Sequence, residues 1–548
     1  MNGIIGEDRR SGGTMRNTII FSLLALALCQ QLPLLINQEL ADINPLLFND
    51  QAFHGAGVLA RVTPSGVQYV AAIVAQAFSS HFADIKPAVV RRDHKLSTIP
   101  TVTLRRLILE TLQLDKKFVS TTTANNLLNI VSTNISISTS GVLTGDIRGT
   151  KLNDAITFKT PYMRLDTSVR ILKNANGNPI IKVEKCAIST TGIKLVTKPM
   201  DPANGRALAD GIAADANKLF YEMICPKIEH IISNRVNQRF NLLSSKISLE
   251  DSKSFDIVKI IMQAEERMKR IVRQKGTKRR NIIAHNARRQ TRQTAEEKFH
   301  LVLNSFNFSR ADSLMLDYAM LSTPSLTPRG IELETSGEVY QKGHSTPFGA
   351  APLFLPFTTP TSMLQIMVSD FVPNSLMYHG HRIKLFDTRI DWNTPQFGPV
   401  MRTTCDLSTG SLFCIGGIHF NLIGLIRVVS DRNEPIGEME IRIEALMKMK
   451  LTPKSVKGKV TIEEIQFTTR TPRILLQDEL DDAGFLSREI LQRMVNDILK
   501  QGIPIPIHPL FKLSKPKLTL SSRSMLLETN FLLNEHIISQ LTAETLVV

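Results

Sequence analysis

The sequence predicts an α+β protein in which each half combines antiparallel sheet with a few long helices. Between residues 129 and 197 apolar and polar residues alternate, and Asn176-Gly177 separates two strand-like runs, which is typical of a β-hairpin. A long helical pattern follows between Ile212 and Val236. The second half of the chain repeats these patterns in a different order.

The composition is that of a globular protein. Of the 548 residues, 43% are hydrophobic and 21% are charged, which excludes a disordered or low-complexity chain. Aromatic residues make up only 6%, with one tryptophan, so the chain is poorly equipped to stack on single-stranded nucleic acid. We therefore expect no nucleic-acid partner.

The first 29 residues resemble a secretory signal segment. The apolar run IIFSLLALAL covers residues 19–28, Arg16 precedes it, and Ala27-Leu28-Cys29 has the small-x-small pattern of a cleavage site. The run is shorter than the ~20 residues that cross a bilayer. A buried helix is the alternative, and Met15 is an alternative start. We expect a secreted, extracellular protein.

Four cysteines follow that segment, and in a secreted chain an even number favours disulfides. The sequence allows three pairings, of which Cys186–Cys225 and Cys405–Cys414 are the most local. Two sequons, at Asn134 and Asn307, predict glycosylation sites.

The first helix is expected to begin at Pro64, with Thr63 as its N-cap. Its apolar residues recur every three or four positions, as in an amphipathic helix with a wide apolar stripe. The helix that starts before Ile212 carries a second such stripe, and Pro226 is expected to kink it.

In the second half, strand patterns are expected at 331–340 and at 363–368, the latter leading into a short helix. Several strands are expected between 383 and 471. The stretch Ser487–Lys500 has the periodicity of an amphipathic helix, and strands around Leu518 and Phe531 close the chain.

Residues 267–292 contain eleven Lys or Arg and no acid, in a chain whose net charge is +16. Such a run is usually a solvated segment. Two further hypotheses are an arm that binds anionic surfaces and proteolysis at Arg267-Met-Lys-Arg270.

No motif predicts catalysis. The pattern Gly55-x-Gly57-x-x-Ala60 has no strand before it, which argues against a dinucleotide site. The pair His379-x-His381 has no evident third metal ligand. Nucleophile-elbow, zincin and P-loop motifs do not occur. We therefore expect no enzyme, no cofactor and no metal.

Several separated segments resemble one family, the animal lipid-transfer and lipopolysaccharide-binding proteins, which includes bactericidal/permeability-increasing protein, lipopolysaccharide-binding protein and the phospholipid and cholesteryl ester transfer proteins. The resemblance lies in the following segments: Gly57–Tyr69, the cysteines 186 and 225, Leu316–Pro324, Ser369-Asp370-Phe371 with Asn374-Ser-Leu, and Gly502-Ile-Pro-Ile-Pro. It covers residues from about 44 to the C terminus.

The resemblance implies an elongated boomerang of two antiparallel barrel domains, each wrapped on long helices and joined by a central antiparallel sheet. It implies domains at 44–245 and 311–548, separated by a basic insertion at 246–310. It also implies the 186–225 disulfide and an apolar pocket for phospholipid acyl chains in each half. The 405–414 pair has no counterpart in the family.

The predicted function is a secreted protein that holds acyl chains in two apolar pockets, with lipid transfer as a further expectation. One alternative is an innate-defence protein that binds bacterial lipopolysaccharide or an anionic membrane through basic residues. Another is the precursor of a basic, membrane-active peptide. The expected lipid-lining residues are Val67, Val70, Ala71, Val74, Phe78, Ile212, Leu219 and Met223. The expected anion-binding residues are Arg91, Arg92, Lys95, Arg105, Arg106, Arg270, Lys278, Arg279 and Arg280.

Overall fold

The computed structural model describes most of the two halves of the chain. The described residues are 47, 51–81, 89–90, 93–196, 201–242, 245–248, 313–356, 362–385, 388–390, 402–414, 417–430, 434–452, 455–501, 503–504 and 511–534. The predicted signal segment and the basic segment 267–292 lie outside the described residues.

The N-terminal sheet is antiparallel, with the main strand order β2-β4-β6-β7-β8; β3 pairs with β4, β5 with β6 and β9 with β7. Its strands are β2 (Val89–Val90), β3 (His94–Lys95), β4 (Val102–Gln113), β5 (Val119–Ala124), β6 (Leu127–Ile147), β7 (Thr150–Lys173), β8 (Pro179–Thr191) and β9 (Lys194–Val196). The hairpin predicted at Asn176-Gly177 is confirmed, because Lys173 pairs with Pro179 across it. Gly177 has φ +78°, the left-handed region that favours glycine.

A long helix, α2 (Pro202–Ile231), packs on this sheet. It begins where Asp201 accepts hydrogen bonds from the backbone N–H groups of Ala203 and Asn204, with Pro202 in the first turn. The helix continues through Pro226. The departure from α-helical geometry comes later, in a π-helical turn at Ile232–Val236, and α3 (Asn237–Leu242) follows.

A central six-stranded sheet joins the two halves, with the order β12-β13-β1-β15-β23-β22. Its strands are β1 (Val58–Val62), β12 (Ser325–Thr327), β13 (Gly330–Thr335), β15 (Leu364–Ser369), β22 (Phe511–Ser521) and β23 (Ser524–Leu533). The strand β1 of the first half therefore lies between two strands of the second half. The buried Arg61 of β1 donates from Nε to Glu332 and from Nη1 to Gln365, one on each neighbouring strand.

Helix α1 (Pro64–His81) follows β1 directly. As predicted, it begins at Pro64, and the Thr63 hydroxyl accepts from the Gly66 N–H while donating to the Ser362 carbonyl. Ile73 and Ala77 are buried and pack with Tyr69 and Leu533. The buried side of α1 is thus used to hold the helix on the central sheet.

The C-terminal sheet is a second curled antiparallel sheet, in the order β16-β17-β18-β19-β20-β21. Its strands are β16 (Thr388–Ile390), β17 (Arg402–Cys414), β18 (Gly417–Val429), β19 (Pro435–Leu451), β20 (Ser455–Thr469) and β21 (Ile503–Pro504). Helix α5 (Gln477–Gln501) packs on β20. The expected helix at 487–500 is therefore confirmed and begins ten residues earlier.

A smaller three-stranded sheet has the order β10-β11-β14, with β10 (Lys246–Ser248), β11 (Leu314–Asp317) and β14 (Val339–Gln341). Helix α4 (Phe371–Arg382) follows β15, which confirms the expected strand and short helix. The α+β class with antiparallel sheets is confirmed. The boomerang outline and the domain boundaries remain predictions.

Candidate functional site

One face of the C-terminal sheet is apolar across its strands β18, β19 and β20. On β19 apolar residues at 439, 441, 443, 445 and 447 alternate with Glu440, Arg442 and Glu444. Successive side chains of a strand point to opposite faces, so the apolar set shares one face and the charged set the other. The neighbouring strands place Phe420, Leu422, Ile465 and Phe467 opposite this apolar set.

Helix α5 covers only part of that face. Ala445, Val460, Ile462 and Leu499 are buried where the helix meets β20. Met439, Ile441, Ile443 and their neighbours Phe420 and Leu422 are only half-buried. Aliphatic side chains on a concave sheet that keep accessible surface form a lining against which hydrocarbon can pack.

The corresponding face of the N-terminal half is closed by its own side chains. Three of the expected lipid-lining residues, Ile212, Leu219 and Met223, are exposed by 0%, 1% and 3%. They belong to a continuous packed cluster with β4, β6 and β7, in which the rings of Phe220 and Phe158 lie 6.1 Å apart. At these positions the side chains are part of the protein core.

The expected residues on α1 have mixed environments. Val67 is buried, Val70 and Ala71 are half-buried, and Val74 is 43% exposed. The side chain of Phe78 lies outside the described residues. The helix therefore presents an accessible apolar strip beside the face that holds it on the central sheet.

Sequence reasoning named no lining residue in the second half, although the signal was present. From Met439 to Leu451 every second residue is apolar, and five of the six residues between them are charged. That pattern predicts a strand with one apolar face. It does not show how much of that face a helix covers, because the packing of α5 is a tertiary property.

The family comparison was decided by the second half of the chain. The model described as "LBP / BPI / CETP family, C-terminal domain" matches residues 309–423 and 419–533. The second half of this chain belongs to the LBP/BPI/CETP family. The resemblance expected from the separated segments is thereby confirmed. None of the curated proteins compared with the chain matches it significantly.

Solved structures with similar folds are more distant. The crystal structure of lipopolysaccharide binding protein is 14% identical, with a TM-score of 0.49, and the match covers 88% of this chain and 100% of that one. P47 of Clostridium botulinum E1 is 8% identical with a TM-score of 0.26, covering 87% and 99%. Takeout 1 of Epiphyas postvittana is 10% identical with a TM-score of 0.22, covering 33% and 91%. The family assignment therefore depends on the sequence model.

The disulfide implied by the family resemblance is confirmed. Cys186 on β8 is bonded to Cys225 on α2, with 5.9 Å between their Cα atoms.

The Cys405–Cys414 pairing is wrong. These residues lie nine positions apart on the single strand β17. At about 3.3 Å per residue their Cα atoms are about 30 Å apart, whereas a disulfide spans less than about 7 Å.

The structure describes the side chains of only some of the expected anion-binding residues. Lys95 on β3 and Arg105 and Arg106 on β4 are exposed, and Arg105 forms an exposed ion pair with Asp93 at 3.1 Å. The side chains of the other members lie outside the described residues: Arg91, Arg92, Arg270, Lys278, Arg279 and Arg280. Of the two sequons, Asn134 is exposed on β6, and Asn307 is not among the described residues.

His379 of the His-x-His pair is buried on α4. Its Nε2 lies 3.1 Å from the Thr346 hydroxyl, which donates to Glu338 at 2.6 Å. Burial, followed by the positive charges of Arg382 and His344, lowers the pKa of His379 to about 4.

Among the described residues, no group of three His, Cys, Asp or Glu could hold a metal ion. No helix in the described part of the chain is long and apolar enough to cross a membrane.

Proposed function

We propose that this protein is a secreted lipid carrier that packs acyl chains against apolar faces in both halves and transfers lipid between surfaces. The half-buried aliphatic face of β18–β20 carries this proposal. The family assignment of the same region supports it. No covalent step is required, because the work consists of removing acyl chains from water.

The energetics favour binding of long chains. Each buried methylene contributes about 0.8 kcal/mol, so an acyl chain gains affinity with every carbon that reaches the face. The alternating charged residues point to the opposite side of the sheet, so the lining offers few unpaired polar groups to hydrocarbon. In the first half, the accessible strip of α1 at Val70, Ala71 and Val74 is the proposed wall.

The first experiment is lipid extraction from purified, secreted protein, followed by mass spectrometry. We expect two phospholipids per chain. Protein without lipid in either half would contradict the proposal. Competition by lipopolysaccharide at physiological salt tells whether its acyl chains occupy the same faces, because phospholipid and lipopolysaccharide present the same hydrocarbon chemistry. Intervesicle transfer of a labelled phospholipid tests the transfer step.

A substitution on β19 tests the lining directly. Ile441→Asp places a charge on the half-buried face and should weaken binding of a fluorescent acyl-chain phospholipid by about tenfold or more. Arg442→Gln, on the opposite face of the same strand, is the matched control and should bind normally. Equal binding by both variants would show that lipid does not use this face.

A further inference from the structure

A polar cleft lies where the N-terminal sheet meets the three-stranded sheet. Its volume is about 570 Å³, within the range of small-molecule sites. Three parts of the chain form its walls: the β7–β8 hairpin loop, the end of α3 with β10, and the end of β11. The polar lining includes Lys173, Asn176, Asn178, Asn241, Lys246 and Asp317.

The walls of the cleft are held in place by hydrogen bonds between these three parts. Asn174 accepts from the backbone N–H groups of Asn176 and Asn178, and it donates to Asn241 Oδ1 at 2.9 Å. The Met320 N–H donates to the Gly177 carbonyl at 3.0 Å, which fixes the hairpin loop on the segment after β11. A cavity fixed in this way is preorganised, so a ligand would not have to order its walls.

The chemistry of the lining selects the ligand class. Two lysine ammonium groups, Lys173 and Lys246, favour an anion. Lys173 uses one of its three N–H donors on the Leu321 carbonyl, and the Lys246 ammonium lies over the Tyr340 ring, 5.6 Å from its centroid. The Asp317 carboxylate in the same wall disfavours a ligand that is anionic throughout. Side-chain amides and a carboxylate pair with hydroxyl groups, because hydroxyls both donate and accept.

From this combination we propose that the cleft binds a phosphorylated polyol, with the phosphate near the two lysines and the hydroxyls on the asparagines and Asp317. Three asparagines and one aspartate on the walls match several hydroxyls at once. This site is separate from the apolar faces and contacts the phosphate and hydroxyls of its ligand, not an acyl chain. It can therefore be tested whether or not the lipid-carrier proposal holds.

The test uses the full chain and isothermal titration with myo-inositol 1-phosphate as the probe. We expect saturable binding that weakens at high salt, with much weaker binding of myo-inositol or inorganic phosphate alone. The double variant Lys173→Gln/Lys246→Gln should lose about tenfold in affinity or more. Lys194→Gln, an exposed lysine on β9, is the control and should bind as the unmodified chain does.

A pair of glycines provides a second, charge-free test. A Cβ on Gly177 would lie 2.6 Å from the Ala319 Cβ, so Gly177→Ala should displace the loop and weaken binding of the probe. Gly192 also has positive φ, but a Cβ there would meet nothing closer than 4.0 Å. Gly192→Ala therefore carries the same backbone strain without closing the cleft and should leave binding of the probe unchanged.

Vesicles with and without phosphatidylinositol distinguish a lipid headgroup from a free phosphorylated polyol, and binding to either source supports the cleft. Absence of binding by both the free probe and the phosphatidylinositol vesicles would overturn the proposal, as would full binding by the double lysine variant. Inorganic phosphate binding as tightly as the ester would also overturn it, because the hydroxyl contacts would then contribute nothing.

Discussion

The two halves of the molecule attach a long helix to a sheet in the same way, yet they differ in how completely the helix covers the apolar face. In the first half the contact is made just beyond the long helix α2, by Asn237 at the start of α3, which donates to the Ile181 carbonyl and accepts from the Ile181 N–H on β8. In the second half, Asn496 makes the same two contacts with Val460 on β20. An asparagine amide thus takes the place of a neighbouring strand at the edge strand β8 and at the part of β20 beyond its pairing with β21, where β20 is itself the edge of the sheet.

The covering differs because the two helices present different residues to the sheets. Along α2, buried apolar side chains meet β4, β6 and β7, and the cluster they form is closed. Among the described side chains, α5 contributes Leu499 to the buried cluster on β19 and β20, and Leu491 and Val495 pack against it. The strands farther from α5 keep half-buried apolar side chains. The face under α2 is closed by packing, whereas the face beside α5 leaves apolar surface for a ligand.

The largest expected effect is a difference in stability between two matched variants, each of which removes an aromatic ring from one of the two regions. Phe220→Ala removes a fully buried ring and should lower the free energy of unfolding by about 3–5 kcal/mol. Phe420→Ala removes a half-buried ring and should cost roughly half as much while reducing lipid binding. Chemical denaturation with a probe in each half measures both. Equal losses would mean that the two faces are packed alike.

The next prediction concerns stability in acid, which we expect to differ between the two halves. His379, in the second half, has a pKa lowered to about 4, chiefly by burial, so it stays neutral in the folded state while the unfolded chain protonates near the usual value. Its contribution to stability is complete above pH ~6.5 and is lost as the pH falls toward 4, by roughly 3 kcal/mol. His379→Gln should flatten this slope, and His419→Gln on an exposed position should not.

In the first half the corresponding buried group is Asp215. Burial alone would raise its pKa, but hydrogen bonds from the Ser97 hydroxyl and N–H and from His94 outweigh burial and lower it. Its contribution is therefore present above pH ~3.8 and is lost only below that value. Unfolding followed by a fluorescent probe in each half should show the second half losing stability first on acidification. Loss in the reverse order would contradict this assignment.

The smallest effect tests the shared attachment. Asn237→Ala and Asn496→Ala each leave a backbone N–H and a carbonyl of an edge strand without their partner. Each should cost about 1–3 kcal/mol. We expect Asn496→Ala alone to change the rate of lipid uptake, because α5 borders the half-buried face, whereas α2 closes a packed cluster. Uptake kinetics by fluorescence measure this, and an equal change in both variants would remove the distinction.

The sequence by itself determined the local structure. Alternation predicted the strands, Asn176-Gly177 predicted the hairpin, and Thr63-Pro64 predicted the start of α1, because these signals depend on neighbours in the chain. The spacing of apolar residues also placed Ile212, Leu219 and Met223 on the inner side of a helix. The alternation that gives β19 an apolar face is visible in the sequence as well.

Only the tertiary structure decided what those faces do. Whether an apolar side chain fills a core or remains accessible depends on how completely the facing elements cover it. The sequence around Ile212 and the sequence around Ile441 each predict an apolar face, and neither shows whether that face is covered. The separation of Cys405 and Cys414 was fixed by their position on one continuous strand. The polar cleft likewise brings together residues from positions 173 to 320, whose proximity results from packing and from no local pattern.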